Sequence, residues 1–306
     1  MNEIRAAADT YLKIRRSLGF KMKNDGKLVN QFVYFLEERG AVYITAAIAL
    51  DWAMQPKSCH PAYWRYRLWA IRRFAKYVQA LDPRTEIPQS GVLTQRYPRR
   101  TPHIYTQAEI IRLIEAAKGT RKTPKGLWGA TFSTIFGLLA VTGMRVAESV
   151  NLNREDVDLS EGILTILETK FKKSRLVPIH ASTTKVLRQY ARLRDSLFPK
   201  LQTGSFFVTE HGRRLTAKHV GKKFLALTRK IGLRGAKGTP GPHLHDLRHA
   251  FTVRTMLAWY RSDVDVEGHM PELSTYLGHV NTDQTYWYIS AIPELLSLAA
   301  KRLEQT

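Results

Sequence analysis

Apolar residues recur at helical spacing through the first eighty positions and predict four helices. The first covers about residues 2–18, with Ile4, Tyr11, Ile14 and Leu18 on one side. The second, about 26–39, carries Leu28, Val29, Phe32, Phe35 and Leu36. A third follows Thr45, whose hydroxyl suits an N-cap, and runs to Pro56. The fourth spans 61–81, opened by Pro61 and closed before Pro83. It interleaves Tyr66, Trp69, Ile71 and Phe74 with Arg65, Arg67, Arg72, Arg73 and Lys76, so it buries one face and presents basic residues on the other. That basic face reads either as solvated surface or as a contact with a polyanion.

Residues 82–104 are rich in Pro, Gly and Arg and lack periodicity, the composition of a linker. The boundaries follow as 1–92 for a helical domain, 93–104 for the linker and 105–306 for a second domain. Thr106 opens the helix QAEIIRLIEAA, and a uniformly apolar helix, LWGATFSTIFGLLAVTG, ends at Gly143. After a short helix near 145–152 come strand-like ILTILE (163–168) and RLVPI (175–179), joined by the Lys-rich turn TKFKKS. Helices at about 181–197, 216–231, 245–260, 271–277, 282–289 and 293–303 complete a chain that is mainly α with a small antiparallel β-sheet.

Composition narrows the class. The chain has 306 residues, of which 44% are hydrophobic, enough for two cored domains. Lys and Arg number 48 against 26 Asp and Glu, a net charge of +22. Residues 1–100 hold 18 basic and 8 acidic residues, and the remainder hold 30 and 18, so the excess is not confined to a tail. Two basic domains point to a polyanion, nucleic acid before an anionic membrane surface. A single cysteine, Cys59, excludes intrachain disulfides and thiolate-rich zinc sites. The N-terminal stretch lacks the apolar core of a signal peptide, and no run approaches the roughly 20 apolar residues of a membrane span. A soluble protein of a reducing compartment is expected.

Three segments carry candidate chemistry. In TGMRVAESVNL (142–152), Glu148 lies three positions after Arg145, which in isolation reads as a structural ion pair. In PHLHDLRHAF (242–251), His245 and Arg248 share a helix face; His243, His245 and His249 would admit a zinc reading, opposed by Arg248, and His249 otherwise reads as a core or supporting residue. In LGHVNTDQTYWYIS (277–290), His279 follows a helix end, and Tyr286 and Tyr288 flank Trp287.

The order of these pieces, an arginine, a Lys-bearing hairpin, HxxR, LGH and a tyrosine nine residues later, resembles the tyrosine recombinase family of phage integrases, Cre and the Xer recombinases. The resemblance extends over essentially the whole chain. It implies a helical, SAM-like core-binding domain followed by a catalytic domain. It also implies that Arg145 and Arg248 clamp a phosphate, that His245 and His279 fill the HxxR and LGH positions, that Glu148 supports Arg145, and that Tyr288 is the nucleophile. The hairpin ETKFKKSRLVPI resembles the family's GKGxKxRxVPI and sets Lys170 on the catalytic lysine. Phe171 departs from the pattern's glycine, which keeps Lys172 and Lys173 open as alternatives.

What the resemblance implies is chemically coherent. Paired guanidiniums suit the non-bridging oxygens of a phosphodiester. His245 would accept or relay the phenol proton, and a lysine acid would protonate the leaving 5′-oxygen. A 3′-phosphotyrosyl link conserves the bond energy, so no cofactor is expected. The implied partners are double-stranded DNA recombination sites and a tetramer of this chain, acting in a cytoplasmic, nucleoid-associated setting. Arg65, Arg72, Arg73, Lys76, Arg99, Arg100, Lys172 and Lys173 are the expected DNA contacts. The C-terminal segment after Tyr288 would dock on a neighbouring protomer or on its own domain. Rival readings are a type IB topoisomerase and a DNA-binding accessory factor without catalysis. Tyr286 and Trp287 are expected to anchor the segment of Tyr288 by packing.

Overall fold

The computed structural model describes residues 3–97, 100–120, 126–167, 174–262, 264–279 and 281–304. The chain divides into two compact units, residues 1–100 and 101–306. The first contains α1 (Glu3–Ser17), α2 (Lys23–Glu38), α3 (Ala46–Met54) and α4 (Pro61–Gln79). Thr45 caps α3 by accepting from the Ile48 amide at 3.1 Å, and Pro61 stands at the start of α4. Phe32, Leu36, Ile71 and Phe74 form the fully buried centre, with the Trp52 ring edge-on to Phe32 at 5.2 Å and Tyr11 packed on Phe74 at 5.5 Å.

Two details differ from the periodicity reading. α1 buries Ile4, Ala8, Tyr11 and Leu12, while Ile14 and Leu18 are exposed. The face is set by the small Ala8, which a stripe drawn through large residues alone overlooks. On α4 the buried face is Leu68, Ile71, Phe74 and Val78, and Trp69 stands half-exposed beneath the Arg73 guanidinium, 4.5 Å from its ring centroid.

The second unit contains α5 (Gln107–Lys118), α6 (Leu127–Thr142), α7 (Val146–Asn151), β1 (Val157–Asp158), β2 (Ile163–Ile166), β3 (Arg175–Pro178), α8 (Ala181–Leu197), α9 (Ala217–Lys230), α10 (Asp246–Arg261), α11 (Val266–Leu277), α12 (Asp283–Ala291) and α13 (Pro293–Leu303). Thr106 and Glu109 cap α5 reciprocally, the Glu109 amide donating to the threonine hydroxyl at 3.2 Å and the Thr106 amide to the carboxylate at 2.8 Å. The uniformly apolar α6 runs through the main core, against Phe207, Phe224 and Tyr190. The sheet is antiparallel in the order β1-β2-β3, with Leu164 opposite both Val157 and Val177. β1 is too short, at two residues, to show as periodicity.

A second core joins α10, α11, α12 and α13 through Val253, Met256, Leu273, Leu277, Tyr288, Ile292 and Leu295. Here α11 starts earlier than the expected 271, because Asp265 caps it by accepting from the Gly268 amide at 3.1 Å. Pro271, read as a helix start, lies inside that helix, where it forfeits a backbone hydrogen bond. α13 docks on its own unit: Arg302 donates to the Val264 carbonyl at 2.6 Å, and Arg261 pairs with Glu294 at 2.6 Å.

Candidate active site

Two helix ends build the site. α6 stops at Gly143 and α11 at Gly278, both left-handed, with φ of +61° and +69°. A side chain is barred at each: a Cβ would stand 2.6 Å from a Phe251 ring carbon at Gly143 and 2.7 Å from Arg175 Nη1 at Gly278. Their carbonyls, together with two neighbours, receive three guanidiniums. Arg175 Nε donates to the Tyr276 carbonyl (2.8 Å), Arg248 Nη2 to Leu277 (2.8 Å) and Arg145 Nη2 to Gly278 (2.9 Å). Arg248 Nη1 also donates to the Gly143 carbonyl at 2.9 Å. The partial negative charge of the α11 C-terminus thus faces three cations.

One carboxylate lies among them. Glu148 is 8% exposed and bridges Arg145 (2.8 Å) and Arg175 (2.7 Å). Burial alone would raise its carboxyl, but Arg175 and then Arg145 outweigh burial and hold it below the usual carboxylate range. Arg248 is 2% exposed; burial, then the like charge of Arg145, pulls it down to about 10. It remains charged at neutral pH. Three guanidiniums around one carboxylate leave an excess of positive charge, the electrostatics of an anion site.

The histidines differ from the arginines in charge. Burial, then Arg248 and Arg145, lowers His279 to about 3, and the same causes lower His245. Both are neutral at pH 7. His279 Nδ1 lies 2.7 Å from the Thr285 hydroxyl, which in turn lies 2.7 Å from that of Ser274. His245 stands at the mouth of the site, with solvent on one side and the arginines on the other.

On α12 the inward positions are Thr285, Tyr288 and, just beyond, Ile292, a spacing that turns Tyr286 outward. Tyr288 is 2% exposed and Tyr286 is 40% exposed. Trp287 packs beside Tyr288, their rings 5.1 Å apart, while Tyr286 is turned toward the surface. The Tyr288 hydroxyl is hydrogen-bonded to Nδ1 of His249. His249 is therefore more than a core residue, and its ring meets that of His245 edge-on at 4.8 Å.

The structure brings together Arg145, Glu148, His245, Arg248, His279 and Tyr288. Lys170, Lys172, Lys173 and Arg99 lie outside the described residues. Of the remaining expected DNA contacts, Arg65, Lys76 and Arg100 are exposed. Arg72 donates to the Pro88 carbonyl and Arg73 pairs with Asp25 at 3.2 Å, so both are partly committed within their own unit. Arg175 was not singled out by sequence; its signal was the arginine of the hairpin motif itself. Among the described residues, no three His, Cys, Asp or Glu side chains gather as a metal-ligand set, so His243, His245 and His249 do not form the zinc cluster that their spacing would admit. No helix among the described residues is long and apolar enough to cross a membrane.

Known proteins resemble this chain in sequence and in fold. Residues 104–294 match the phage integrase family. The chain is 43% identical over its full length to "Putative integrase/recombinase y4rB" of Sinorhizobium fredii, covering 98% of that protein. It is 30% identical to tyrosine recombinase XerD of Oceanobacillus iheyensis, over 72% of this chain and 69% of that one. In fold it is similar to the Tn1549 transposon integrase solved in complex with transposon right end DNA, with a TM-score of 0.68, 17% identity and 98% of each chain covered. Motif order, site geometry and these relatives agree: the chain belongs to the phage integrase family of tyrosine recombinases and is a site-specific recombinase.

Proposed function

We propose that this recombinase cuts and rejoins double-stranded DNA through a covalent link between Tyr288 and a 3′-phosphate, in the integration, excision or transposition of a mobile element. The observation that carries this reading is the convergence of Arg145, Arg175 and Arg248 on the end of α11, next to the buried hydroxyl of Tyr288. Arg145 and Arg248 bind the non-bridging oxygens of the scissile phosphate, and Arg175 with Glu148 holds Arg145 in place. Preformed donors aimed at the growing charge of the pentacoordinate centre are worth about 10²–10³-fold each.

His279, neutral at working pH, adds a hydrogen bond rather than a charge. When the Thr285 hydroxyl donates to its Nδ1, the proton resides on Nε2, which then serves as a donor to phosphate. Tyr288 attacks, the bond from phosphorus to the 5′-oxygen breaks, and a lysine of the 168–173 hairpin, Lys170 in this reading, protonates the leaving oxygen. Religation reverses these steps on a new strand without an external energy source. Four copies on two DNA sites are the proposed assembly. Basic groups of the first unit, among them Arg65, Lys76 and Arg100, would contact backbone phosphates.

The test uses a DNA site selected from random duplexes by the full chain, then nicked beside the scissile phosphate so that the cut strand diffuses away. The protein should accumulate as a covalent adduct, and Tyr288→Phe should form none. Binding without adduct by the parent protein would leave an accessory DNA-binding role. An adduct on Tyr286→Phe's parent tyrosine, that is, loss with Tyr286→Phe and not with Tyr288→Phe, would move the nucleophile.

A further inference from the structure

We propose that His249, rather than His245, takes the phenol proton of Tyr288 during strand cleavage and returns it during religation. This rests on Tyr288 being the nucleophile. Three observations place His249 in that role. Its Nδ1 shares a hydrogen bond with the Tyr288 hydroxyl, the atom that must lose a proton to attack. His249 and Tyr288 are held in register by ring contacts, with centroids 5.4 Å apart and the Trp287 ring edge-on to His249 at 6.1 Å. His245, one helical turn earlier on α10, stands at the solvent-exposed mouth with its ring edge-on to His249, which frees it to meet the DNA phosphate.

Among the described residues, charged and titratable groups approach His249 from three elements. His245 stands at the N-cap of α10, Arg248 lies on that helix, His279 lies in the turn after α11, and Tyr288 lies on α12. In the forward step the bond from Tyr288 Oη to phosphorus forms and the bond from phosphorus to O5′ breaks. The phenol proton goes to His249 Nδ1, and the leaving oxygen takes its proton from the hairpin lysine. Protons and charge balance without a further reactant. The imidazolium formed on His249 places its charge beside the pentacoordinate centre when that centre is most negative. On religation the same proton returns to the departing phenolate.

Adduct formation on the nicked site is measured at saturating DNA for the parent, Tyr288→Phe, His249→Ala, His249→Asn and His245→Ala. An adduct with the parent and none with Tyr288→Phe establishes the underlying reading; if the parent forms no adduct, that reading fails first. With the reading intact, His249→Ala should slow cleavage about 10²–10⁴-fold. It should also erase the acidic limb of the pH–rate profile and regain rate on addition of imidazole. His249→Asn keeps an acceptor near the position of Nδ1 but cannot carry the proton, so it should be equally slow; it also serves if the alanine variant fails to fold. The proposal is overturned by a parent-like rate in either variant, by rescue in His249→Asn, by an acidic limb that survives in both, or by imidazole rescue confined to His245→Ala.

Discussion

Both units of the chain bury arginines, and Arg67 and Arg248 are buried differently. Arg67, in the first unit, is 7% exposed; it donates to the Trp52 carbonyl at 2.7 Å and lies 3.7 Å above the Trp52 ring. Burial lowers its pKa, and its polar neighbour Tyr63 opposes that shift. Arg248, in the second unit, is 2% exposed, and its largest influence after burial is the like charge of Arg145. Among the described residues, Arg67 is held by a carbonyl and by the Trp52 ring, with no like charge beside it, although its buried Nε finds no hydrogen-bond partner. Arg248 is held by two carbonyls beside two further cations, Arg145 and Arg175, that share the one carboxylate of Glu148. An internal arginine is therefore not evidence of a binding site by itself; a cluster of cations short of counter-charge is.

The largest test of that contrast removes the single carboxylate. Glu148→Gln should destabilise the protein by about 3–5 kcal/mol, since it strips the buried partner from two guanidiniums; urea unfolding followed by circular dichroism measures it. Arg248→Lys should come next, with adduct formation lowered about 10²–10³-fold, because one ammonium cannot bridge two carbonyls and a phosphate. Arg67→Met should do the reverse of Arg248→Lys. Stability should fall by about 1.5–3 kcal/mol, and the adduct rate on saturating DNA should stay within a few-fold of the parent.

Smaller effects follow from titration and from the surface. His279 has a folded pKa of about 3, against an unfolded value of about 6.5. Between those values the unfolded chain binds the extra proton, so stability is complete above about pH 6.5 and is lost as pH falls toward 3. Glu148, also lowered, works in the same direction at the acidic end. Tm measured from pH 7 down to 4 should fall, and less steeply in His279→Asn. The smallest change expected is at the exposed Arg65 and Lys76: alanine at each should weaken DNA binding uniformly across sequences and reduce the salt slope by about 1 per residue. Arg73→Ala, which breaks the Asp25 pair, should lower Tm instead.

Most helices were legible because caps and periodicity agree locally, as at Thr45, Thr106 and Pro61. The exceptions have local causes of their own: the small Ala8 belongs to the buried face of α1, and the Asp265 cap starts α11 ahead of Pro271. The proposed catalytic side chains were legible as an ordered list, Arg145, Lys170, His245, Arg248, His279 and Tyr288, of which Lys170 lies outside the described residues. What the list omitted is tertiary. Arg175 and Arg145 reach carbonyls 101 and 133 residues away, and His249 reaches a tyrosine 39 residues on. Main-chain acceptors carry no residue-type signal, and a histidine beside an HxxR motif looks like packing until the fold brings a hydroxyl to it.

The end of α11 has a consequence for how the site can be dismantled. Tyr276, Leu277 and Gly278 are consecutive, and each secures a different arginine. A shift of that one terminus by an ångström or two would take one anchor from all three guanidiniums at once, leaving Arg145 and Arg175 on Glu148 and Arg248 on the Gly143 carbonyl, so the site has a shared keystone. Damage there should saturate: Gly278→Ala combined with Arg145→Ala should cost little more activity than the worse of the two alone. Any event that moves α11 would then act on catalysis as a single on–off control.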